Sequence, residues 1–224
     1  MEYGEGTVMR LGDLPPVSQD ALPTGWPALD QALGIGGLPR GRVVEIFGLD
    51  GSGKTSLALA IARQAENALY IDADHGLTPE QMRGLYMGRV ETLEQALSMV
   101  ETAAQGFDVV VIDTLAALPT GEDLHCPLGM PPKYPLARKL STALPRLIGT
   151  LARYGCTLVV VSQMREKPGV FYGNPLYSTG GKALKYYAAA RIEMRVAGKE
   201  EVQARVVKNK CAPPHKEARR IISA

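Results

Sequence analysis

The chain has 224 residues, of which 46% are hydrophobic and 21% charged, and a formal net charge of +2. That length supports one well-buried domain and is short for two, and the composition excludes disordered and fibrous classes. No run of 18 apolar residues offers a membrane span, the acidic start Met1-Glu2-Tyr3-Gly4-Glu5 lacks a secretory h-region, and Cys126, Cys156 and Cys211 show no C-x-x-C spacing, so a cytoplasmic protein with reduced thiols and no membrane partner is expected.

The first predicted strand, 43–47, runs Val43-Val44-Glu45-Ile46-Phe47 into Gly48-Leu49-Asp50-Gly51-Ser52-Gly53-Lys54-Thr55. Those eight residues match G-x-x-x-x-G-K-[ST]. Glycines without a Cβ let successive backbone N–H groups curl around a polyphosphate. Lys54 then reaches the β- and γ-phosphates, and the Thr55 hydroxyl ligates Mg²⁺. A helix over 54–66 begins at this loop and sets its positive dipole end against the phosphates. Gly48, Asp50, Gly51, Ser52, Gly53, Lys54, Thr55 and Ser56 are therefore candidate nucleotide-binding residues.

Further strands are read at 68–72, 108–113 and 157–162, with helices at 79–87, 93–105 and 136–154. Thr78-Pro79-Glu80-Gln81 opens the 79–87 helix with an N-cap, a first-position proline and a capping-box Gln. Leu136, Leu140, Leu144, Leu147 and Leu151 form one buried stripe of the 136–154 helix, which Pro145 should kink. Strands at 190–196, 202–208 and 218–223 complete the pattern. Strand–helix alternation with continuously apolar strands predicts an α/β fold with a mostly parallel sheet covered on both faces. Two long stretches, 119–135 with five prolines and 165–181, resist regular structure, and such loops in a compact domain usually serve function. Charge is uneven: residues 1–50 hold three Arg against seven Asp/Glu, whereas 165–220 hold thirteen Lys/Arg against five Glu. The basic end suits an anionic partner or a solvated face.

Val109-Val110-Val111-Ile112-Asp113 is a buried strand ending in a carboxylate, as the second Mg²⁺-supporting position of phosphate-loop enzymes requires. Asp72-Ala73-Asp74-His75 ends the neighbouring strand at the edge where open α/β sheets bind ligands. Asp74 is placed to orient and deprotonate an attacking water, or to cap the following turn; His75 reads as structural. Gln163 follows the 157–162 strand and leads into the 165–181 loop. A neutral side chain that hydrogen-bonds a γ-phosphate there would report nucleotide state to that loop; taken alone, the residue reads as an ordinary polar group at a strand end. The loop carries Arg165, Lys167, Phe171, Tyr172 and Tyr177 and ends in Thr179-Gly180-Gly181 at a helix start. Cations and glycine amides in that setting suit the phosphates of a single strand.

These residues converge on one family. The chain resembles the bacterial RecA recombinases over nearly its whole length. The resemblance is carried by Met9-Arg10-Leu11-Gly12, Gly36-Gly37-Leu38-Pro39, Gly41-Arg42-Val43-Val44-Glu45-Ile46 and the phosphate loop. It continues in Ile71-Asp72-Ala73-Asp74-His75, Glu94-Gln95-Ala96-Leu97 and Val111-Ile112-Asp113-Thr114-Leu115. The more specific stretches are Gly169-Val170-Phe171-Tyr172-Gly173-Asn174-Pro175, Thr179-Gly180-Gly181-Lys182-Ala183-Leu184-Lys185 and Val206-Val207-Lys208-Asn209-Lys210.

The resemblance implies a phosphate-loop NTPase with a RecA-like core, using ATP and Mg²⁺, that coats single-stranded DNA in homologous recombination and repair and hydrolyses ATP to release it. Lys54, Thr55 and Asp113 then serve nucleotide and metal, Asp74 stands at the water-activating carboxylate, and Gln163 at the γ-phosphate sensor. Arg165, Lys167, Thr179, Gly180 and Gly181 fall in the second DNA-binding loop, and Arg138 and Arg146 match DNA-contacting positions around the first. Lys208 and Lys210 match lysines that reach a neighbour's γ-phosphate in trans. Departures are informative. The family's Glu is here Asp74, which predicts slow hydrolysis; its adenine-stacking Tyr aligns with Gln81; and the first DNA loop is the proline-rich 119–135, with Lys133 as its added cation. Residues 1–35 read as a segment without the family's oligomerisation helix and 36–224 as the ATPase core, with no separate C-terminal domain. That arrangement leaves a homo-oligomer or co-assembly with a full-length RecA-type protein as the partner arrangements. The alternative function is a non-filamentous paralogue, an ATP-binding regulatory or accessory module with weak or no strand exchange.

Overall fold

A computed structural model describes residues 20–127, 136–166, 176–198 and 200–221. The backbone of the main sheet is set by its apolar runs. Val43–Gly48 (β3), Ala68–Asp72 (β4), Val109–Asp113 (β6) and Thr157–Glu166 (β7) form where branched and aromatic residues favour extended chain. The C-terminal half adds Leu176–Ser178 (β8), Ala190–Val196 (β9), Glu201–Asn209 (β10) and Glu217–Ile221 (β11). With a short strand Tyr86–Gly88 (β5), they order as β11-β10-β9-β3-β7-β6-β4-β5, and β8 pairs with the far end of β7. Neighbours from β9 to β5 run parallel, while β10 and β11 turn back antiparallel.

Helices cover both faces, as buried parallel strands require. One face packs Lys54–Ala62 (α2) and Pro27–Leu33 (α1) over Val44, Ile46, Tyr70, Val111 and Val159. The other packs Leu93–Ala103 (α4) and Leu136–Tyr154 (α6) over Val43, Ile71, Val110, Ile112 and Val160. Leu140, Leu144, Leu147 and Leu151 are the buried stripe of α6, and Leu136 is half-buried. The helix runs as one element through Pro145, which sits on its exposed face.

Two departures from the sequence reading have local causes. The expected helix over 79–87 ends as α3 at Pro79–Met82, after the capping box between Thr78 and Gln81. Arg83 already leaves helical backbone, Gly84 turns at φ +82°, and Tyr86–Gly88 then join the sheet beside Leu69–Ile71. Burial of Met87 and an edge-on contact of Tyr86 with Phe107, centroids 5.3 Å apart, favour strand over propensity. Upstream, a two-strand ladder of Ala21–Leu22 (β1) with Leu38–Pro39 (β2) brackets α1. Its entry is held by Thr24, whose hydroxyl donates to Asp30 at 2.7 Å, and by Pro27 in the first turn. A short helix Gly121–Leu124 (α5) falls inside the proline-rich stretch, and residues 128–135 of that stretch lie outside the described residues. Among the described residues no helix is long and apolar enough to cross a membrane.

Candidate nucleotide-binding site

β3 delivers the chain to the sheet's carboxyl edge, and the phosphate loop fills the gap before α2. Gly48 is required by crowding: a Cβ there would stand 2.2 Å from the Met194 carbonyl oxygen on β9. Gly51 and Gly53 hold positive φ, at 72° and 82°. Lys54 opens α2 and is buried, its ammonium donating to the Leu49 carbonyl at 2.7 Å. Burial lowers its pKa, against the opposing pull of Asp50 and Asp113. The Ser52 hydroxyl is buried with no hydrogen-bond partner among the described residues, a donor poised for an acceptor from outside.

The Thr55 side chain lies beside Asp113, which is 3% exposed at the end of β6. Burial raises the Asp113 pKa and Asp72 adds to it, while the hydrogen bond from Tyr70, the neighbouring Thr55 side chain and the charge of Lys54 oppose that rise. A hydroxyl beside a carboxylate is a hard-oxygen donor set of the kind Mg²⁺ prefers, and the unpartnered Ser52 donor next to it suits the phosphates such an ion accompanies. The peptide bond between Asp113 and Thr114 is cis.

At the end of β4, Asp72 accepts the amides of Gly76 and Leu77 at 3.3 and 3.1 Å. Asp74 is exposed and turned back: Oδ1 accepts the Gly76 amide at 3.3 Å, beside Asp72. Its pKa is raised by burial first, then by Asp72 and Asp113. Capping and proximity to Asp113 thus occur together at this residue. His75 holds φ +55°, a turn role.

Gln163 on β7 stands opposite Gly48 in the β3–β7 ladder, and its carbonyl accepts the Thr179 amide at 3.0 Å. One residue therefore neighbours both the phosphate loop and the Thr179-Gly180-Gly181 turn. That turn leads into Gly181–Tyr187 (α7). Gly181, at φ +62°, packs where a Cβ would lie 2.8 Å from the Ala137 Cβ on α6. Arg165 is exposed on β7, and Lys167 lies outside the described residues.

The remaining sequence-selected cations sit elsewhere. Arg146 on α6 makes two hydrogen bonds to Glu101 on α4, at 2.7 and 2.6 Å. Arg138 is exposed in the first turn of α6. Lys208 on β10 donates to the Lys185 and Tyr186 carbonyls at the end of α7, at 2.6 and 2.9 Å, where a cation also meets the negative dipole end. Lys210 is exposed two residues on. Beneath α7, buried Glu45 on β3 pairs with Arg191 on β9, whose guanidinium lies 4.3 Å from the Phe47 ring centre.

The sequence reading missed two parts of the site. A cavity of about 400 Å³ opens beside Gly53 and Ser56, lined also by Trp26, Arg63, Arg220 and Ile221; these come from the entry to α1, from α2 with its caps and from β11, and no local pattern joins them. Tyr70 was read only as part of a strand, yet its hydroxyl donates to Asp113 Oδ2 at 2.6 Å. A tyrosine inside an apolar run needs a polar partner, and that was the available signal.

With this geometry in place, comparison with known proteins is specific. The model of the RecA N-terminal domain matches residues 1–223. Protein RecA of Thermus thermophilus is 43% identical over 240 aligned positions, spanning 97% of this chain and 71% of that protein. The Bifidobacterium longum and Acidothermus cellulolyticus proteins of the same name are each 43% identical across 96% of this chain, which covers 60% and 69% of their lengths. A phosphate loop on a mostly parallel sheet with antiparallel strands beyond β9, matched along the chain at this identity, has one reading: the protein belongs to the RecA family.

Proposed function

We propose that the chain is an ATP- and Mg²⁺-dependent, single-stranded-DNA-binding ATPase of the recombinase type, in which nucleotide occupancy controls the loop after Gln163. The observation that carries this reading is Gln163 itself, opposite Gly48 on one side and bonded to Thr179 on the other. Lys54 would exchange the Leu49 carbonyl for phosphate oxygens, and Ser52 would gain the acceptor it lacks. Thr55 and Asp113 would hold Mg²⁺, which when bound neutralises phosphate charge. The cavity lined by Trp26, Arg63 and Arg220 is sited for the base and ribose. Asp74 would accept a proton from the attacking water, and Gln163 would sense the γ-phosphate. Arg165, Lys167 and the Thr179-Gly180-Gly181 amides would contact the strand, with Arg138 and Arg146 as added cations. Lys208 and Lys210 would serve a neighbouring copy's nucleotide.

The test is ATP turnover with and without single-stranded DNA, beside Lys54→Ala, together with oligonucleotide affinity with and without nucleotide. DNA-stimulated turnover lost in Lys54→Ala, and affinity that rises with ATP, are expected. Affinity indifferent to saturating nucleotide would overturn the reading.

A second reading, an accessory ATP-binding module without strand exchange, is favoured by a specific observation. Arg146 and Lys208, two cations the first reading employs, are engaged within the chain by Glu101 and by α7. Mass measurement with ATP and a DNA oligomer separates the two: a single copy per oligomer at high protein concentration supports the module.

A further inference from the structure

β4 places hydrocarbon at every buried position but one. Ala68, Leu69 and Ile71 are apolar, while Tyr70, with no exposed surface, carries a hydroxyl into the same core. Phenylalanine would fill that space without needing a partner, so the hydroxyl requires its own explanation. It lies in the hydrogen bond to Asp113 Oδ2 at 2.6 Å. β4 and β6 run parallel with Tyr70 opposite Val111 and Asp72 opposite Asp113. The phenol therefore reaches along the strand direction, from the core to the rim. There Asp113 also meets Thr55 of the phosphate loop.

The Tyr70 hydroxyl thus bonds a buried carboxylate that also neighbours Thr55. Thr55 belongs to the proposed metal-holding pair, whereas Tyr70 is fully buried. We propose that Tyr70 is a positioning residue of the metal site, whose hydroxyl fixes the Asp113 carboxylate in the orientation that serves Thr55 and the magnesium of a bound nucleotide. The inference rests on the nucleotide reading above. Without the hydroxyl, Asp113 Oδ2 loses a charge-assisted bond in a site closed to water, and the carboxylate is free to turn. Outer-shell partners of metal ligands commonly govern metal affinity by 10- to 100-fold.

The experiment measures binding of a fluorescent ATP analogue as Mg²⁺ is titrated, with a chelator arm giving metal-free affinity. It uses the wild-type chain, Tyr70→Phe, Asp113→Asn and the double variant. Half-saturating Mg²⁺ is expected to rise about tenfold in Tyr70→Phe, with metal-free affinity unchanged. Adding Tyr70→Phe to Asp113→Asn should change the metal dependence no further, because the bond being removed is already compromised. Unchanged half-saturation in a cooperatively melting Tyr70→Phe overturns the proposal. So does an equal loss of affinity with and without metal, which marks a packing role. Tyr70→Met supplies a second hydroxyl-free side chain, and failure of both variants to fold also assigns Tyr70 to packing. If the wild-type chain binds no nucleotide, the parent reading falls with it; wild-type binding with an unaffected Tyr70→Phe removes this inference alone.

Discussion

On the proposed reading Asp74 stands in place of a Glu one methylene longer, and its carboxylate is held by the Gly76 amide. Both effects would set it back from the attacking water of that reading, and displacements of about 1 Å can cost about a hundredfold in rate. Asp74→Glu is therefore expected to raise ATP turnover about tenfold or more, measured as steady-state phosphate release; an unchanged rate would remove Asp74 from catalysis. At Gly48 the added methyl of Gly48→Ala meets the Met194 carbonyl. Urea denaturation should show a loss of about 1–3 kcal/mol, the usual range for overpacking. The phosphate loop was legible in the sequence because its backbone path admits few residue types, so the pattern states the geometry. Asp113 was legible as a carboxylate ending an apolar run. The bond from Tyr70 was not, because its acceptor lies 43 residues away and meets it only after strand order is set.

Among elements, α6 was the clearest in advance: its leucines recur at helical spacing, and all but the half-buried Leu136 form its buried stripe. Leu144→Ala should cost about 2–5 kcal/mol in urea denaturation, the range for truncating a buried leucine. β5 was misread because its three residues are ambiguous in isolation, and only the open side of β4 makes them a strand. At the rim opposite the site, Asp108 before β6 accepts from Arg40 at 2.8 Å and from the Asn67 amide at 3.0 Å. Burial raises its pKa, but these hydrogen bonds outweigh it and the net shift is downward. A depressed carboxyl contributes stability above its unfolded pKa and loses it as pH falls through the folded value. Asp108→Asn should therefore cost at most about 1 kcal/mol near neutral pH, and the deficit should disappear in acid, as pH falls through the depressed folded value. Denaturation curves at neutral and acid pH check this, with nucleotide binding unaffected because the site lies at the other edge.

For the molecule as a whole, the α/β class followed from alternation of apolar strands and helices. The strand order did not, because it depends on crossovers that composition leaves open. Chain-wide charge asymmetry bears on the proposed DNA partner. If the basic C-terminal part supplies phosphate contacts, log affinity for a single strand should fall against log salt by about 0.7 per contact. Oligonucleotide titrations at several ionic strengths measure it, and a flat response would assign those cations to a solvated face. One further consequence follows from α7, whose entry is tied through Thr179 to β7 and whose exit is clasped by Lys208 from β10. With β3 and β9 lying between those two strands, this short helix acts as a crossbeam above the strand that carries the phosphate loop. Slackening either abutment unseats the beam, so the stiffness of the loop's surroundings is a shared property of both flanks.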